Sequence, residues 1–394
     1  MGHLKKIVFL TFILLLIHTD VSSAEPKILF DESQGKRERK RILVIAPHPD
    51  DETISSSTVI SYAVKNNLPL KIVIMTNGDL FLWGKRAIIK DVDGNGSVTF
   101  IDYGYTRQRE VITALSNYGV NKNDIIFLGY PDSFLWEILN RDFNDFYLDF
   151  KSGIIFEKIL SVNLLKYSPY NNTYHEKRFP SEKTLYNADY ITRDLSSIIE
   201  EFSPTDIFVT HELDTHPDHR ATPVFVRKAI SHLTEIGNAS AAKIAVHRYL
   251  VHFNYHDNVE DMGEYPDPNS PELMTRDILN KCLPVNWDKT AIGSAPTSQM
   301  PLNSEFKNLK LKAIDTCYSQ MTGISIQTEC DSEKYLFLHQ FVKDHEEWWD
   351  WPVDYPLPFD YYDSWGIIKK GKVYYHGFYN FFRYYLYDRF KITQ

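Results

Sequence analysis

The sequence predicts an α/β fold in which a mostly parallel sheet is covered by helices on both faces. Two observations lead to this prediction. Short apolar runs, typical of strands buried on both faces, alternate along the chain with segments of helical periodicity. Clusters of polar residues directly follow several of these runs, at the carboxyl ends of strands, which is where parallel sheets bind their ligands.

The individual elements follow from this alternation. Strands are predicted at residues 41–46, 71–76, 125–129, 206–210 and 243–253, and helices at residues 52–65, 106–118, 188–202 and 217–233. Strands that alternate with helices indicate a Rossmann-like, doubly wound sheet. Two insertions interrupt it, and an aromatic C-terminal extension follows. The insertions are predicted at about residues 80–104 and 132–186. Later helical stretches are predicted at residues 305–318 and 333–349.

The charge balance excludes one class of partner. The chain of 394 residues carries a net charge of −9 and has no strongly basic stretch. Binding to a phosphate backbone needs clustered lysine and arginine. Nucleic acid is therefore not expected as a partner.

The first residues have the pattern of a secretory signal. Lys5 and Lys6 precede an apolar run at residues 7–17, and small residues ending at Ala24 offer a cleavage position. The run is shorter than the roughly 20 residues of a spanning helix. We expect a secreted or periplasmic protein, and an uncleaved membrane anchor is the alternative. The expected division is a signal peptide at 1–24, a leader at 25–40, the main domain at 41–350 and the aromatic extension at 351–394.

The last third of the chain leaves several questions open. Cys282, Cys317 and Cys330 match no zinc module, and in an oxidising compartment one pair could form a disulfide. The aromatic extension could line a saccharide groove, pack internally or mediate oligomerisation. Its aromatic residues are interspersed with Arg and Lys, so peripheral membrane contact is a further alternative.

Two clusters of histidine and acidic residues stand where a predicted strand turns into a helix. Residues 47–52 read Pro-His-Pro-Asp-Asp-Glu, and residues 211–219 read His-Glu-Leu-Asp-Thr-His-Pro-Asp-His. Imidazole nitrogen and carboxylate oxygen are zinc ligands, and a catalytic zinc has three protein ligands and one open position. Acidic residues at a helix start are also good capping chemistry. Two such clusters at neighbouring strand ends are harder to explain by capping, so they predict a metal site.

Residues 46–52 and 214–221 resemble the two signatures of the PIG-L/LmbE family of zinc-dependent N-acetylglucosaminyl deacetylases, the first with one extra proline. Residues 107–110, 128–132 and 249–252 are similar to further family landmarks, as are Lys312-Ala313 and residues 318–320. The resemblance covers about residues 41–350, with two insertions and an unmatched tail.

This resemblance implies a hydrolase that removes an N-acetyl group from an N-acetylglucosamine-type sugar or conjugate by means of a zinc-bound water. His48, Asp51 and His219 would bind Zn2+. Asp50 would be the general base that takes the proton of that water and later passes a proton to the leaving amine. His216, as an imidazolium, would stabilise the oxyanion of the tetrahedral intermediate.

Two further residues in these motifs each have two possible interpretations. Arg107 could contact hydroxyls or a phosphate of the substrate, or it could form a structural ion pair with Glu110. Asp214 could orient a histidine ligand, or it could cap its own loop.

The first insertion contains the pattern of a calcium-binding loop at residues 91–102. Oxygen-bearing side chains stand at positions 1, 3 and 5, glycine at 6 and a carboxylate at 12, where Asp replaces the usual Glu. A hairpin turn before a short strand is the alternative. Bound Ca2+ would rigidify a loop beside the active site. The expected calcium ligands are Asp91, Asp93, Asn95, Ser97, Thr99 and Asp102.

Three other functions compete with the deacetylase. A zinc amidase acting on a non-sugar amide would share the core site and differ in its substrates. A non-catalytic sugar-binding protein would have no use for Asp50 as a base. A nucleotide-binding domain would need a Gly-x-Gly-x-x-Gly turn after the first strand, and here that turn holds His48 and acidic residues.

Overall fold

An eight-stranded sheet organises the chain. The computed structural model describes residues 25–30, 40–79, 100–140, 168–214, 216–252, 295–321, 325–327, 334–351, 368–369 and 372–373. Eight strands form the large sheet, and β8 with β9 and β11 with β12 form two separate pairs. The strands are β1 (Lys27–Ile28), β2 (Ile42–Ala46), β3 (Leu70–Thr76), β4 (Ile125–Tyr130), β5 (Asp206–Thr210), β6 (Ala245–Tyr249), β7 (Ser298–Pro301), β8 (Ser325–Gln327), β9 (Lys334–Leu336), β10 (His345–Asp350), β11 (Ile368–Lys369) and β12 (Lys372–Val373).

The helices connect these strands in sequence. They are α1 (Asp51–Lys65), α2 (Phe100–Tyr118), α3 (Leu135–Asn140), α4 (Tyr174–Arg178), α5 (Ala188–Phe202), α6 (Pro217–Glu235) and α7 (Ser304–Thr316). Short 3-10 turns lie at Lys122–Asp124, Ala241–Lys243, Tyr318–Gln320 and Phe337–Phe341.

The strand order of the large sheet is β1-β7-β10-β6-β5-β2-β3-β4. The five strands from β6 to β4 all run parallel to one another. β10 is antiparallel to both β6 and β7, and β1 is parallel to β7. The predicted mostly parallel, Rossmann-like α/β sheet is confirmed. Because β2 to β6 point the same way, the polar segments that follow them meet at one edge.

Alternate residues of the strands enter two cores, one on each face of the sheet. Leu43 and Ile45 of β2 belong to a core shared with α5 and α6. Ile42 and Val44 belong to a second core shared with α1, α2 and α7. Both faces are therefore covered, as the near-continuous apolar strands predicted.

Two segments differ from the sequence-based expectation. The predicted helix at 333–349 is wrong, because this segment forms β9, a 3-10 turn and β10. β10 pairs on both sides and buries Trp348 and Trp349, and such tertiary pairing outweighs local propensity. Residues 25–40 were expected to be a leader, but Lys27 and Ile28 pair with β7 and Leu29 is buried in the second core.

Two further features concern the membrane and the thiols. Among the described residues, none of the helices has the length and apolar character needed to cross a membrane. Cys317 is a buried, free cysteine. Cys282 and Cys330 lie outside the described residues, and so does most of the aromatic extension.

Candidate metal centre and active site

The turn between β2 and α1 gives three consecutive acidic residues three different positions. Asp50 has a φ of 142°, a backbone conformation that favours glycine, and its N–H donates to Glu52 Oε2 over 3.1 Å. Pro47 O accepts hydrogen bonds from both the N–H and the hydroxyl of Thr76, each 3.0 Å long, which ties this turn to the end of β3. Strained backbone of this kind clusters at functional sites. The turn directs Asp51 towards the histidines and Asp50 towards Arg107.

Three side-chain atoms from the two predicted clusters converge at the carboxyl edge of the sheet. His48 Nδ1 lies 3.0 Å from His219 Nε2 and 3.2 Å from Asp51 Oδ2. The third side of this ligand triangle, from His219 Nε2 to Asp51 Oδ2, is also 3.2 Å. All three residues are buried. Tetrahedral zinc, with bonds of about 2.0 to 2.2 Å, would place its ligand atoms roughly 3.4 Å apart.

The far side of the His48 ring faces two carboxylates. His48 Nε2 lies 3.1 Å from Asp218 Oδ2 and 3.2 Å from Asp132 Oδ1. This arrangement places the ring proton on Nε2, so the lone pair of the neutral ring is on Nδ1, inside the triangle. Asp218 also accepts the N–H groups of Ser133, over 2.5 Å, and Leu135, over 2.9 Å. One carboxylate thus orients His48 and holds the turn after β4.

His219 is oriented in the same way by Asp214. Asp214 Oδ2 lies 3.2 Å from His219 Nδ1, which leaves Nε2 for the triangle. The same carboxylate accepts the N–H groups of His216, Val251 and His252. Both interpretations of Asp214 from the sequence therefore describe real contacts, since it orients a histidine and also caps its loop.

The electrostatics of the triangle fit a bound cation. Burial lowers the pKa of His48 and His219, but the surrounding carboxylates raise it more. The net pKa of His48 is well above its usual range, and that of His219 is about 9. Two ring nitrogens 3.0 Å apart have room for one proton between them. The carboxylates thus favour positive charge here, and the two nitrogens and one oxygen are donors that suit a divalent metal.

Two other triplets of ligand atoms lie within 4.8 Å of one another, namely His48, His216 and His219, and His48, Asp132 and Asp218. In the second triplet the Asp218 oxygens already accept two backbone N–H groups. In the first, His216 Nδ1 accepts the N–H of Asp218. The three atoms of the ligand triangle lie within 3.2 Å of one another.

Asp50 lies beside the triangle and against Arg107. Arg107 Nη2 is 3.5 Å from Asp50 Oδ2 and donates to Pro49 O over 2.8 Å and to Gln320 Oε1 over 2.6 Å. Burial raises the pKa of Asp50 to about 8, and the guanidinium opposes that rise. A cation in the triangle would lower the same pKa further and favour the ionised form.

The guanidinium of Arg107 is held close to the backbone of the turn after β3. Nη1 donates to Gly78 O over 2.5 Å. Gly78 has a φ of 59°, and a Cβ there would lie 1.7 Å from Arg107 Nη1, so only glycine fits. Glu110, the other partner considered for Arg107, accepts the N–H and the hydroxyl of Ser319. The observed contacts therefore make Arg107 a partner of Asp50.

His216 begins α6 and has a defined tautomer. Its Nδ1 accepts the N–H of Asp218 over 3.2 Å, so the neutral ring carries its proton on Nε2. Burial and the neighbouring histidines hold the pKa of His216 well below its usual range. The lowered pKa favours a neutral ring, which is an N–H donor, over the imidazolium that the family resemblance implies.

The structure brings the predicted residues of both clusters together and adds others. Asp132 and Asp218 received no role from the sequence, although both lie in quoted motifs. His252, whose ring centroid is 5.1 Å from that of His219, was also missed. Of the predicted calcium ligands, Asp102 lies buried in the first turn of α2. The others lie outside the described residues, namely Asp91, Asp93, Asn95, Ser97 and Thr99.

Comparison with known proteins adds a family match. Residues 43–230 match the family model described as PIG-L, GlcNAc-PI de-N-acetylase. The matched segment contains the whole ligand triangle together with Asp50 and His216. Among curated protein sequences, no relative matches this chain.

Several solved structures are similar at low sequence identity. N,N'-diacetylchitobiose deacetylase from Pyrococcus horikoshii is 17% identical, with a TM-score of 0.45 over 84% of this chain and 91% of that chain. The A40926 pseudoaglycone deacetylase Dbv21 is 15% identical, with a TM-score of 0.40 over 81% and 100%. GalB, the 4-carboxy-2-hydroxymuconate hydratase from Pseudomonas putida KT2440, is 12% identical, with a TM-score of 0.40 over 81% and 97%.

Proposed function

We propose, from the premise that residues 43–230 form a domain of the PIG-L family, that this protein is a metal-dependent deacetylase that hydrolyses the N-acetyl group of an amino sugar or its conjugate. The observation that carries the proposal is the ligand triangle with a carboxylate base beside it. A non-catalytic binding protein would need neither the strained turn at Asp50 nor the base that this turn presents.

We assign the triangle to zinc. His48, Asp51 and His219 would hold the ion through two nitrogens and one oxygen, a donor set that zinc accepts in catalytic sites. Bound there, zinc supplies a Lewis acid and makes water nucleophilic near neutral pH. Asp132, Asp218 and Asp214 fix which nitrogen of each histidine faces the ion, and such outer contacts govern metal affinity.

The residues beside the triangle would move the protons. Asp50 takes a proton from the attacking water, whose oxygen forms a bond to the acetyl carbon. As the carbon–nitrogen bond breaks, the protonated carboxyl returns that proton to the leaving amine, and the products are acetate and a free amino sugar. Arg107 keeps Asp50 oriented, because its guanidinium is fixed by Pro49 O and Gln320. His216 offers its Nε2–H to the carbonyl oxygen, where negative charge develops.

The substrate would be an N-acetylglucosamine-type sugar or glycoconjugate. A zinc amidase that acts on a non-sugar amide is the second candidate, because the same groups would catalyse that reaction. We also propose that the protein is secreted or periplasmic, on the basis of the signal-like residues 1–24.

A deacetylation screen tests the main proposal. Purified protein would be assayed for released acetate with free, oligomeric, lipid-linked and nucleotide-linked N-acetylglucosamine, and with non-sugar acetamides as the contrasting set. We expect a chelator to abolish turnover on the sugars and added zinc to restore it. Turnover confined to the non-sugar amides would favour the second candidate. Full turnover after chelation, in protein shown to contain no metal, would contradict the metal-dependent mechanism.

We propose a separate calcium site at residues 91–102, on the pattern of oxygen-bearing side chains. Calcium at a hundredfold excess over its Kd should stabilise the fold by about 2.7 kcal/mol. Replacing Asp91 and Asp93 by alanine should remove the calcium-dependent rise in Tm and leave the zinc content unchanged. A wild-type protein whose Tm does not respond to calcium would contradict the site.

A further inference from the structure

Helix α1, which presents Asp51 to the ligand triangle, is broken one turn after that residue. Ser56 has a φ of −134° and a ψ of 20°, which are not helical values. In a regular helix the N–H groups of Ser57 and Thr58 would donate to the carbonyl groups four residues earlier. A break of this kind leaves such donors and acceptors in need of other partners.

A buried ion pair from the C-terminal part of the chain supplies those partners. Glu346 of β10 accepts the N–H of Ser57 over 3.0 Å and the N–H of Thr58 over 2.9 Å. Lys310 of α7 donates to Ile54 O over 2.7 Å and to Glu346 over 2.7 Å. The Lys310 side chain is fully buried and that of Glu346 is 5% exposed. The two side chains therefore sit in the gap of the helix and bind the N–H groups of Ser57 and Thr58 and the carbonyl of Ile54. The carbonyl of Thr53 accepts the hydroxyl of Ser57 over 2.5 Å.

The turn that Lys310 holds is the turn that forms the metal site. The N–H groups of Thr53 and Ile54 both donate to Asp50 O over 2.9 Å. Ser55 Oγ donates to Asp51 O over 2.5 Å. A shift of the Ile54 carbonyl would therefore move the backbone of Asp50 and Asp51.

We propose that Lys310 and Glu346 are positioning residues that keep the first turn of α1 separate from the rest of the helix, and so set the place of Asp51 in the ligand triangle and of Asp50 beside it. The inference rests on the proposed function, because it takes the triangle to be a zinc site. Neither residue contacts the triangle, and their effect would be transmitted by the backbone of the turn.

Stability alone is a weak reason for such a pair. Taking two charges out of water is costly, and replacing a buried ion pair by apolar residues of similar size is often neutral or stabilising. Without the pair, Ser57 and Thr58 could donate to the carbonyls of Thr53 and Ile54, and α1 could continue as one regular helix. The pair thus selects the broken form over the continuous form.

The double variant Lys310→Met with Glu346→Leu separates the two effects. We expect its Tm to equal or exceed that of the wild type, because the apolar residues fill the same space and the helix can close. Zinc alone, titrated into metal-free protein against a fluorescent chelator, should bind on the order of 10- to 100-fold more weakly. With saturating zinc, kcat should fall while KM changes little.

Leu195→Ala is the matched control, because Leu195 is fully buried in α5 on the opposite face of the sheet. It should lower Tm without changing zinc affinity. If it weakens zinc binding as much as the double variant does, the loss reflects general loosening and the inference is overturned. Should the double variant not fold, Glu346→Gln, which keeps the size of the side chain, takes its place with the same expected loss of zinc affinity.

If the variant that folds binds zinc as tightly as the wild type, the positioning role is overturned and the proposed function stands. A wild-type protein that neither binds zinc nor deacetylates any amide overturns the proposed function itself. These two failures are distinguishable, because the second is seen before any substitution is made.

Discussion

Two buried clusters of histidine and carboxylate lie in the same sheet and differ in one respect. In the ligand triangle, His48 Nδ1 and His219 Nε2 face each other over 3.0 Å with Asp51 beside them. At His247 of β6, Nδ1 lies 2.6 Å from Asp350 and Nε2 lies 3.2 Å from Asp206. The first cluster directs two ring nitrogens at one point, whereas the second gives each ring nitrogen its own carboxylate.

The difference shows what separates a candidate metal site from a structural histidine. Burial and acidic neighbours are common to both clusters. In each cluster burial lowers the pKa of the histidine, and the carboxylates raise it by more, to above its ordinary value. The His247 ring is satisfied when it is protonated, and it links β5, β6 and β10 through Asp206 and Asp350. The triangle cannot be satisfied by one proton on each ring. Converging lone pairs, and not the residue types alone, mark the place for a cation.

The largest effect on metal binding should come from removing one of the three ligand residues. His219→Ala leaves two of the three ligand atoms, and we expect the purified protein to lose its metal and its turnover together. Metal analysis of the purified variant and an acetate-release assay measure the two quantities. His247→Ala is the matched control and should keep its metal. An active, metal-free His219→Ala protein would refute the site.

Substitutions of the two adjacent aspartates should distinguish the general base from the metal ligand. Asp50→Asn should keep the metal and lower kcat by on the order of 10² to 10⁴, because the amide cannot accept the proton of the attacking water. Asp51→Asn should instead weaken metal binding. Metal content and kcat measured on both variants decide the matter, and the reverse pattern would mean that the two roles are exchanged.

A smaller loss of zinc affinity is expected when a residue that orients a ligand, and is not itself a ligand, is replaced. Asp218→Asn removes the charge that orients His48, and we expect zinc affinity to fall by on the order of 10- to 100-fold. Asp206→Asn removes the equivalent carboxylate from His247 and should leave zinc affinity unchanged. Zinc titration of both metal-free proteins against a chelator is the measurement. Equal losses in the two variants would show that the effect is not specific to the triangle.

The smallest effect concerns the pH dependence of stability at His247. Burial lowers the pKa of His247, but Asp206 and Asp350 raise it above its ordinary value. Because the folded pKa is raised, the stabilisation is fully present below about pH 6.5 and is lost as the pH rises through the folded pKa. His247→Gln should therefore cost about 1.5 to 3 kcal/mol at pH 6 and less at pH 9.

Urea denaturation at several pH values measures this difference in the free energy of unfolding. His345→Gln is the control, because His345 is more exposed and contacts only Glu347 among the ion pairs described. Its cost should stay below about 1 kcal/mol at every pH. A cost at His247 that grows with rising pH would have the wrong sign for a protonated ring.

The sequence predicts the fold and the meeting of the two clusters for a definite physical reason. Parallel strands end at one edge, so motifs that directly follow two neighbouring strands must lie close together. The orientation of the ligands is not predictable in this way. Asp132 and Asp218 approach His48 from positions far away in the chain, and no local spacing relates them. The neutral state of His216 depends on burial and on neighbouring rings that only the folded chain supplies.

The break in α1 had a partial signal in the sequence. Residues 53–58 read Thr-Ile-Ser-Ser-Ser-Thr, a run of poor helix formers inside a predicted helix. The two residues that bind the backbone at this break gave no signal in the sequence. Lys310 stands in a predicted helix, and Glu346 stands in a segment wrongly predicted to be helical. Charged residues are usually solvent-exposed, and only the packed structure shows this pair to be buried.

The position of β10 has a consequence for the synthesis of the chain. β10 is the last strand of the large sheet in sequence, yet it lies between β6 and β7. Until residues 345–350 have left the ribosome, β6 therefore presents an unpaired edge, which is a template for pairing with another chain. Folding from the N-terminus during translation can complete only the parallel half of the sheet. A chain that terminates at residue 230, where the family match ends, would lack β6, β7 and β10, so β5 would become an edge strand and β1 would lose its partner β7.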